Sequence, residues 1–237
     1  MRALLTLEEY NKPYDNPHSF GKTYGEHREY LEFNAKEYAE LKRFADSIGM
    51  IFFASPWDIA SADLLNHLQM PLFKISSACI TNLSLLELVA GFGKPTIISA
   101  GMSNLDEIER AVKVFENAVT EYALLQCTSA YPCDFDDVNL NVIADFKRRF
   151  NCPIGFSGHH KGIAVDVGAV ALGARIIERH FTLDRTMKGT DHAASLEPQG
   201  LHRLVRDVRA VEKAMGSATK MLLQCEIENR NKLRKAA

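Results

Sequence analysis

Apolar runs alternate with amphipathic stretches along most of this chain. Apolar residues recur at helical spacing in 35–47, Gly49 follows, and a short apolar run at 50–54 then predicts a strand. The same alternation continues to the end of the chain. It predicts strands at 50–54, 72–76, 96–99, 122–127, 153–157 and 175–181. It predicts helices at 35–47, 60–68, 84–92, 105–117, 140–150, 163–172 and 198–215.

Short, nearly all-apolar strands separated by amphipathic helices are typical of a parallel α/β sheet covered on both faces. A doubly wound sheet and a TIM-type (β/α)8 barrel both fit this pattern. No Gly-x-Gly-x-x-Gly follows the first strand, which weakens the dinucleotide-binding alternative. Polar residues follow every strand, and barrel enzymes place their chemistry at that rim, so we predict a barrel. These residues are Ser55, Ser77, Ser99, Ser129, Ser157 with His159, and His180.

The predicted barrel is incomplete, because about six strand-helix units are found where a closed barrel needs eight. We expect the chain to lack the first two units, which would leave unpaired edges at the strand from Met50 and the strand to Phe181. Residues 1–34 are polar, with turn signals, and are predicted to be a loop segment. Residues 35–217 would form the partial barrel and 218–237 a tail or linker.

Composition narrows the class of protein. Twenty-eight basic and thirty acidic residues give a formal charge of -2, which offers no electrostatic footprint for nucleic acid or an anionic membrane. No uncharged apolar stretch approaches the length of a membrane span or of a signal-peptide core, so we expect a cytoplasmic protein. The five cysteines contain no Cys-x-x-Cys, which argues against a disulfide framework or a zinc knuckle.

Two histidines follow the last two predicted strands. His159 and His180 are twenty-one residues apart, so neighbouring strand ends would bring their imidazoles close enough to share a divalent metal ion. The alternative is that each is an ordinary hydrogen-bonded histidine. His160 should point away from the site and is interpreted as part of the loop.

A lysine and several hydroxyls could hold an anion at the same rim. Lys74 lies inside an apolar strand, where an unpaired ammonium would be costly to bury, so it needs an anionic partner, and substrate is a good candidate. Ser77, Ser99 and Ser157 end three different strands and could hold a phosphate and a carboxylate with it. Each serine could instead be a helix N-cap.

Glu178, Asp191 and Tyr131 complete the polar set, together with His192. Glu178 precedes His180 by two, so on an extended strand both point to the same face. Asp191 follows the last strand and is interpreted as a loop cap or a substrate contact.

The motifs of this chain resemble those of the sialic acid synthase family. They are Gly21-Lys-Thr-Tyr-Gly-Glu-His27, Phe73-Lys-Ile-Ser-Ser77, Lys94-Pro-Thr-Ile-Ile-Ser-Ala-Gly-Met102, Leu125-Gln-Cys-Thr-Ser-Ala-Tyr-Pro132, Ile154-Gly-Phe-Ser-Gly-His159, Ala169-Val-Ala-Leu-Gly-Ala174, Ile177-Glu-Arg-His-Phe-Thr-Leu-Asp184 and Lys188-Gly-Thr-Asp-His192. The first and fourth are similar to the animal-type branch. That branch condenses phosphoenolpyruvate with N-acetylmannosamine 6-phosphate, whereas the bacterial branch takes N-acetylmannosamine.

The resemblance implies roles for the polar residues. It implies a Mn²⁺, Mg²⁺ or Co²⁺ ion held by His159 and His180, and no organic cofactor. It implies catalytic roles for Lys74, Tyr131, Glu178 and Asp191. Phosphoenolpyruvate would contact Lys74, Ser55, Ser77, Ser99 and Ser157, and the sugar would contact Ser129, Tyr131 and Asp191. Members are usually homodimers.

This chain departs from the family in three ways. Nothing corresponds to the first two strand-helix units, which carry a metal-site glutamate, or to the C-terminal antifreeze-like domain. Cys79 stands where the family has a carboxylate. We therefore expect little turnover from this chain alone, compared with one extended by two units. The alternatives are a homologue that binds ligand or a sister subunit without turnover, and an unrelated metal-dependent aldolase.

Overall fold

A computed structural model describes residues 5–235 of the chain. Five strands form one parallel sheet in the order of the sequence: β1 (Phe73–Ile75), β2 (Thr96–Ser99), β3 (Tyr122–Cys127), β4 (Ile154–Gly158) and β5 (Ile177–Arg179). Every neighbouring pair is parallel, so all carboxyl ends lie at one rim. The predicted α/β barrel-type fold is confirmed, as a curled part of a barrel.

Ten helices accompany the strands in the described residues. They are α1 (Leu7–Asn11), α2 (Tyr24–Leu31), α3 (Ala35–Ser47), α4 (Ile59–His67), α5 (Leu83–Gly91), α6 (Leu105–Asn117), α7 (Asn141–Arg149), α8 (Ala164–Ala171), α9 (Pro198–Met215) and α10 (Ile227–Leu233). All seven helices predicted from 35 to 215 are present, with ends within one residue of the predicted ones. Local signals fix several ends: Asn34 and Asn104 each form a capping box with a glutamate three residues on, and Pro198 begins α9.

The predicted strand at 50–54 is wrong. The segment has no ladder partner and touches the sheet through one backbone contact, from the Lys74 amide to the Ala54 carbonyl at 3.4 Å. Met50 and Ile51 are more than 60% exposed, because no described strand covers their other side. Apolar character alone cannot hold a strand without a neighbour to complete its hydrogen bonds.

The N-terminal segment, predicted to be a loop, contains the two short helices α1 and α2 instead. Thr6 and Thr23 cap them, each in a capping box with a glutamate three residues on. Gly25 is needed where they cross, because a Cβ there would lie about 2.1 Å from the Tyr10 ring. Of the predicted terminal segments, residues 1–4 and 236–237 lie outside the described residues.

The hydrophobic core lies between the sheet and the helices that follow its strands. Its largest fully buried side chains are Phe73, Phe115, Phe156, Met70, Ile75, Ile80, Leu85, Leu86, Ile98, Leu124, Leu125 and Ile143. Beyond β5, the sheet has no further strand within residues 5–235, and Phe181 forms only an isolated bridge to Leu196. The predicted unpaired edge after the last strand is confirmed at β5, whereas at the other side of the sheet the edge strand is β1 and not the predicted strand from Met50.

Replacing Phe115 by Ala should destabilise the fold strongly. Phe115 is fully buried on α6, and removing a buried phenyl ring costs about 3–5 kcal/mol in transfer and cavity terms. Phe44→Ala on α3 is the matched control, because that ring is 63% exposed. Urea denaturation followed by circular dichroism measures both, and equal midpoints for the two variants would contradict this placement of the core.

Candidate active site

One cavity of about 620 Å³ opens at the carboxyl rim of the sheet. Ten of the eleven candidate residues line it: Ser55, Lys74, Ser77, Ser99, Ser129, Tyr131, Ser157, His159, Glu178 and His180. Asp191 is the exception and lines a neighbouring cavity, although its carboxylate lies 3.8 Å from Nδ1 of His180. The predicted gathering of the strand ends is confirmed, and the roles of the residues stay predictions.

Lys74 projects into this cavity and is only 7% exposed. Its ammonium donates to the Ser99 hydroxyl at 2.7 Å and to the Ile75 carbonyl at 3.2 Å. Its anionic partner is Glu178 of β5, whose carboxylate lies 3.4 Å away. The sequence pointed to substrate as this partner, but a carboxylate of the chain itself already offsets the charge.

Glu178 joins three strands at the cavity floor. One of its oxygens faces Lys74 of β1, and the other accepts a hydrogen bond from Ser157 of β4 at 3.0 Å. In a flat sheet, β1 and β5 would be about 19 Å apart, four spacings of roughly 4.8 Å. The contact between them therefore requires a strongly curled sheet, as in a barrel wall.

Small residues bring two hydroxyls together on the neighbouring strands. The Ser77 hydroxyl accepts from the Gly101 amide at 3.0 Å. A Cβ on Gly101 would lie about 2.4 Å from the Ser129 oxygen and 2.7 Å from the Ser77 oxygen, so only glycine fits. Ser129 Oγ and Ser76 Oγ, on two residues that line the cavity, are both buried without a hydrogen-bond partner in residues 5–235. Unsatisfied hydroxyls at a cavity wall are suited to a polar ligand.

The two candidate metal ligands lie side by side, with ring centroids 5.3 Å apart, as predicted from their spacing. Nδ1 of His159 lies 2.8 Å from the Thr128 carbonyl. A carbonyl can only accept, so Nδ1 carries a proton and, in the neutral ring, the lone pair that could bind a cation is on Nε2. Burial lowers the pKa of His180, and Asp191 opposes that effect. A neutral imidazole is the form that binds metal.

These residues fit part of a metal site. Two imidazoles converge, but no cluster of three or more His, Cys, Asp or Glu side chains that could hold an ion occurs among the described residues. Water or substrate oxygens would have to complete the coordination of any ion held there.

Cys127 is a cavity residue that the sequence analysis did not single out. It ends β3, is 7% exposed, and has its sulfur 3.6 Å from the Ser77 hydroxyl. Burial alone would raise the pKa of Cys127, but hydrogen bonding to His159 and Ser77 lowers it overall. Burial alone would likewise lower the pKa of His159, but Cys127 and the Thr128 carbonyl raise it. Its position at a strand end was the signal that could have identified it.

Cys79, by contrast, is 4% exposed in the core, and burial raises the pKa of its thiol. It is not among the residues that line the cavity.

A buried charged network lies behind β5. Arg179, between Glu178 and His180, contacts the carboxylate of Asp166 on α8 and donates to the carbonyls of His160 and Gly162 at 2.7 and 2.8 Å. The His160 ring lies 3.3 Å from the same carboxylate and is fully buried. The prediction that His160 points away from the site is correct, but it lies in this network, not in an exposed loop. The network fixes the backbone that carries His159 and His180.

Comparison with known proteins places the chain in a family. A sequence profile described as the NeuB family matches residues 2–220. The chain belongs to the NeuB family. It is 48% identical over 226 residues to the N-acetylneuraminate-9-phosphate synthase of Homo sapiens, covering 95% of this chain and 63% of that protein. It is 44% identical over 209 residues to the N,N'-diacetyllegionaminic acid synthase of Campylobacter jejuni, covering 87% of this chain and 63% of that one.

Among solved structures, the N-acetylneuraminic acid synthetase of Leptospira borgpetersenii superposes with a TM-score of 0.82 at 37% identity. The superposition covers 92% of this chain and 78% of that one. The NeuB chain thus spans a little under two thirds of the length of the two relatives named above. Within residues 5–235, no helix is both long and apolar enough to cross a bilayer.

Removing the positive charge of the network should cost stability. Arg179→Met leaves the fully buried Asp166 carboxylate with only the His160 ring beside it, and breaking a buried ion pair from one side costs about 3–5 kcal/mol. Replacing Asp166 by Leu in the same chain should restore much of the loss, because no charge is then buried alone. Chemical denaturation of the single and double variants gives both values.

Arg149→Met is the control for this experiment, because it breaks an exposed pair with Asp145. Its midpoint should stay close to that of the wild type. If Arg149→Met and Arg179→Met lose stability equally, the buried network has no special part in the fold.

Proposed function

We propose that this chain carries the condensing site of a sialic acid synthase, which joins phosphoenolpyruvate to an N-acetylated aminosugar aldehyde. The observation that supports this proposal is a single cavity with two groups of side chains. A buried lysine lies among hydroxyls on one side, and a pair of imidazoles lies on the other. Membership of the NeuB family and the names of the relatives support it.

The lysine side of the cavity suits phosphoenolpyruvate. Lys74 supplies a buried positive charge, and Ser77, Ser99 and Ser157 supply hydroxyls that can donate to phosphate or carboxylate oxygens. Ser55 lines the same cavity. An arriving anion competes with Glu178 for Lys74, so substrate binding would free the Glu178 carboxylate to accept a proton.

The imidazole side suits the aldehyde of the open-chain sugar. A divalent cation such as Mn²⁺, Mg²⁺ or Co²⁺ at His159 and His180 would supply positive charge to the aldehyde oxygen. Tyr131 packs against both imidazoles, with ring centroids 4.1 and 5.6 Å away, and limits where the sugar can lie. Ser129 and Asp191 offer polar groups to the sugar hydroxyls.

The reaction then follows from this placement. A carbon–carbon bond forms between C3 of phosphoenolpyruvate and the aldehyde carbon, whose oxygen takes up a proton as it becomes a hydroxyl. Water adds to C2 and loses its proton to a base, for which Glu178 is placed beside Lys74. The C2–oxygen bond to phosphate breaks as the C2 hydroxyl becomes a ketone, and phosphate leaves with the proton of that hydroxyl. The products are a nonulosonate and phosphate, with N-acetylmannosamine 6-phosphate as the proposed acceptor and the free sugar as the alternative.

A homologue that binds without turnover is the second candidate. Two observations favour it: Cys79 is buried in the core, and only two imidazoles converge at the cavity. A cytoplasmic location and a homodimer, as in the family, complete the proposal.

Lys74→Met should weaken phosphoenolpyruvate binding by at least tenfold, because a charge-assisted contact to phosphate is lost. Calorimetric titration in Mn²⁺ measures this affinity. The control is Lys113→Met on α6, whose side chain is exposed and faces Glu116. Unchanged affinity in the Lys74 variant would remove the basis of the phosphoenolpyruvate proposal.

The same samples, supplied with N-acetylmannosamine 6-phosphate, test the reaction. Each phosphate released should be matched by one nonulosonate, and Lys74→Met should lower both rates by about 100-fold. If both substrates bind and no phosphate is released, the second candidate is favoured.

A further inference from the structure

A second cavity, of about 600 Å³, adjoins the candidate active site at His180, which lines both. Its walls come from the N-terminal segment on one side and the loop after β5 on the other. They include Phe20, His27, Tyr30, Lys188, Asp191 and His192. The two cavities therefore meet at one side chain.

His27 presents a buried donor to the second cavity. It is only 5% exposed, and the Phe20 backbone amide donates to its Nδ1 at 3.1 Å. An amide cannot accept, so Nδ1 is unprotonated and the ring proton is on Nε2. Nε2 has no hydrogen-bond partner in residues 5–235. An N–H without a protein partner on a residue that lines a cavity is suited to an acceptor on a ligand.

Lys188 places a positive charge at the same wall. Its ammonium lies 4.9 Å from the centre of the Phe20 ring, and no carboxylate pairs with it in the described part of the chain. Burial lowers the pKa of His27, and the charges of Arg28 and Lys188 lower it further. The charges that act on His27 are thus positive ones, and no acidic group offsets them.

Asp191 is the acidic residue that lines this cavity, and its contacts are with groups other than Lys188. It accepts from the Thr190 hydroxyl at 3.0 Å and lies 3.8 Å from His180. It forms no ion pair with Lys188. A carboxylate next to His180 suits sugar hydroxyls, whereas the lysine and the His27 N–H suit an anion.

We propose that the second cavity holds the phosphate group of the sugar acceptor, with Lys188 supplying the charge and His27 Nε2 donating a hydrogen bond. This inference rests on the proposed function and adds a specificity determinant to it. The sugar would run from the imidazole pair, past Asp191, to Lys188. The N-terminal segment, which the sequence predicted to be a loop, would then decide whether a phosphorylated sugar is preferred.

Calorimetric titrations with N-acetylmannosamine 6-phosphate and with N-acetylmannosamine test this, with Mn²⁺ present and phosphoenolpyruvate absent so that nothing turns over. The wild-type chain should bind the phosphorylated sugar roughly 10- to 100-fold more tightly. Lys188→Met should lose most of that preference, because the phosphorylated sugar loses affinity, and Lys188→Arg should keep it.

Lys94→Met is the matched control. Lys94 also lies over an aromatic ring, with its ammonium 5.8 Å from the centre of Phe73. It stands just before β2, however, at the end of the strands opposite the two cavities. Phosphoenolpyruvate, titrated separately, carries a phosphate too. Lys188→Met should weaken its binding far less than it weakens that of the sugar phosphate, which separates the two phosphate sites.

The outcomes separate the two proposals. A preference that survives in Lys188→Met, or an absent preference in the wild type, overturns the phosphate subsite while sugar binding still supports the synthase. If Lys188→Met loses phosphoenolpyruvate binding but still prefers the phosphorylated sugar, the subsite is also overturned. If the folded chain binds neither sugar, both the proposed function and the subsite are wrong.

Discussion

Lys74 and Glu178 stand on the first and last strands of the sheet, and the 3.4 Å between their charged groups is the contact on which the shape of the site depends. It can form only if the five parallel strands curl enough to bring their outermost members face to face. The curl in turn directs the intervening strand ends toward one centre. Ser99, Ser157 and His180 therefore reach the same cavity although they come from different units of the chain.

The same contact sets the electrostatics of the cavity. Burying an ammonium without a partner would be costly, so Glu178 stabilises Lys74 in the empty site, and Ser99 and Ser157 each hydrogen-bond one member of the pair. In the proposed function, a phosphate or carboxylate of substrate would take the place of Glu178. The pair is a structural contact in the empty site and would become a preorganised anion site on binding, and the imidazoles lie next to it without carrying its charge.

Contacts on the face of β5 opposite the cavity hold the site in place. Arg179 points away from Glu178 and His180, as alternation along β5 requires, and meets Asp166 and His160 in a buried network. Because Arg179 also holds the loop carbonyls of His160 and Gly162, the turn after β4 is fixed from the core side. One strand therefore carries functional groups on one face and their anchor on the other.

The sequence by itself determined the order and the limits of the elements from 59 to 215, because capping residues, Pro198 and the spacing of apolar residues are local signals. It also determined which residues lie at the strand ends, and ten of the eleven candidates chosen in this way line the cavity. Only the tertiary structure decided that 50–54 forms no β-ladder and that Glu178 is the partner of Lys74. It also decided that Cys127 faces the cavity. The N-terminal segment up to residue 34 contains two helices, and the residues between them contact the loop after β5, which the local pattern did not indicate either. These features depend on contacts between residues far apart in the chain. A strand needs a neighbour and a buried charge needs a partner, and neither can be identified from the local pattern.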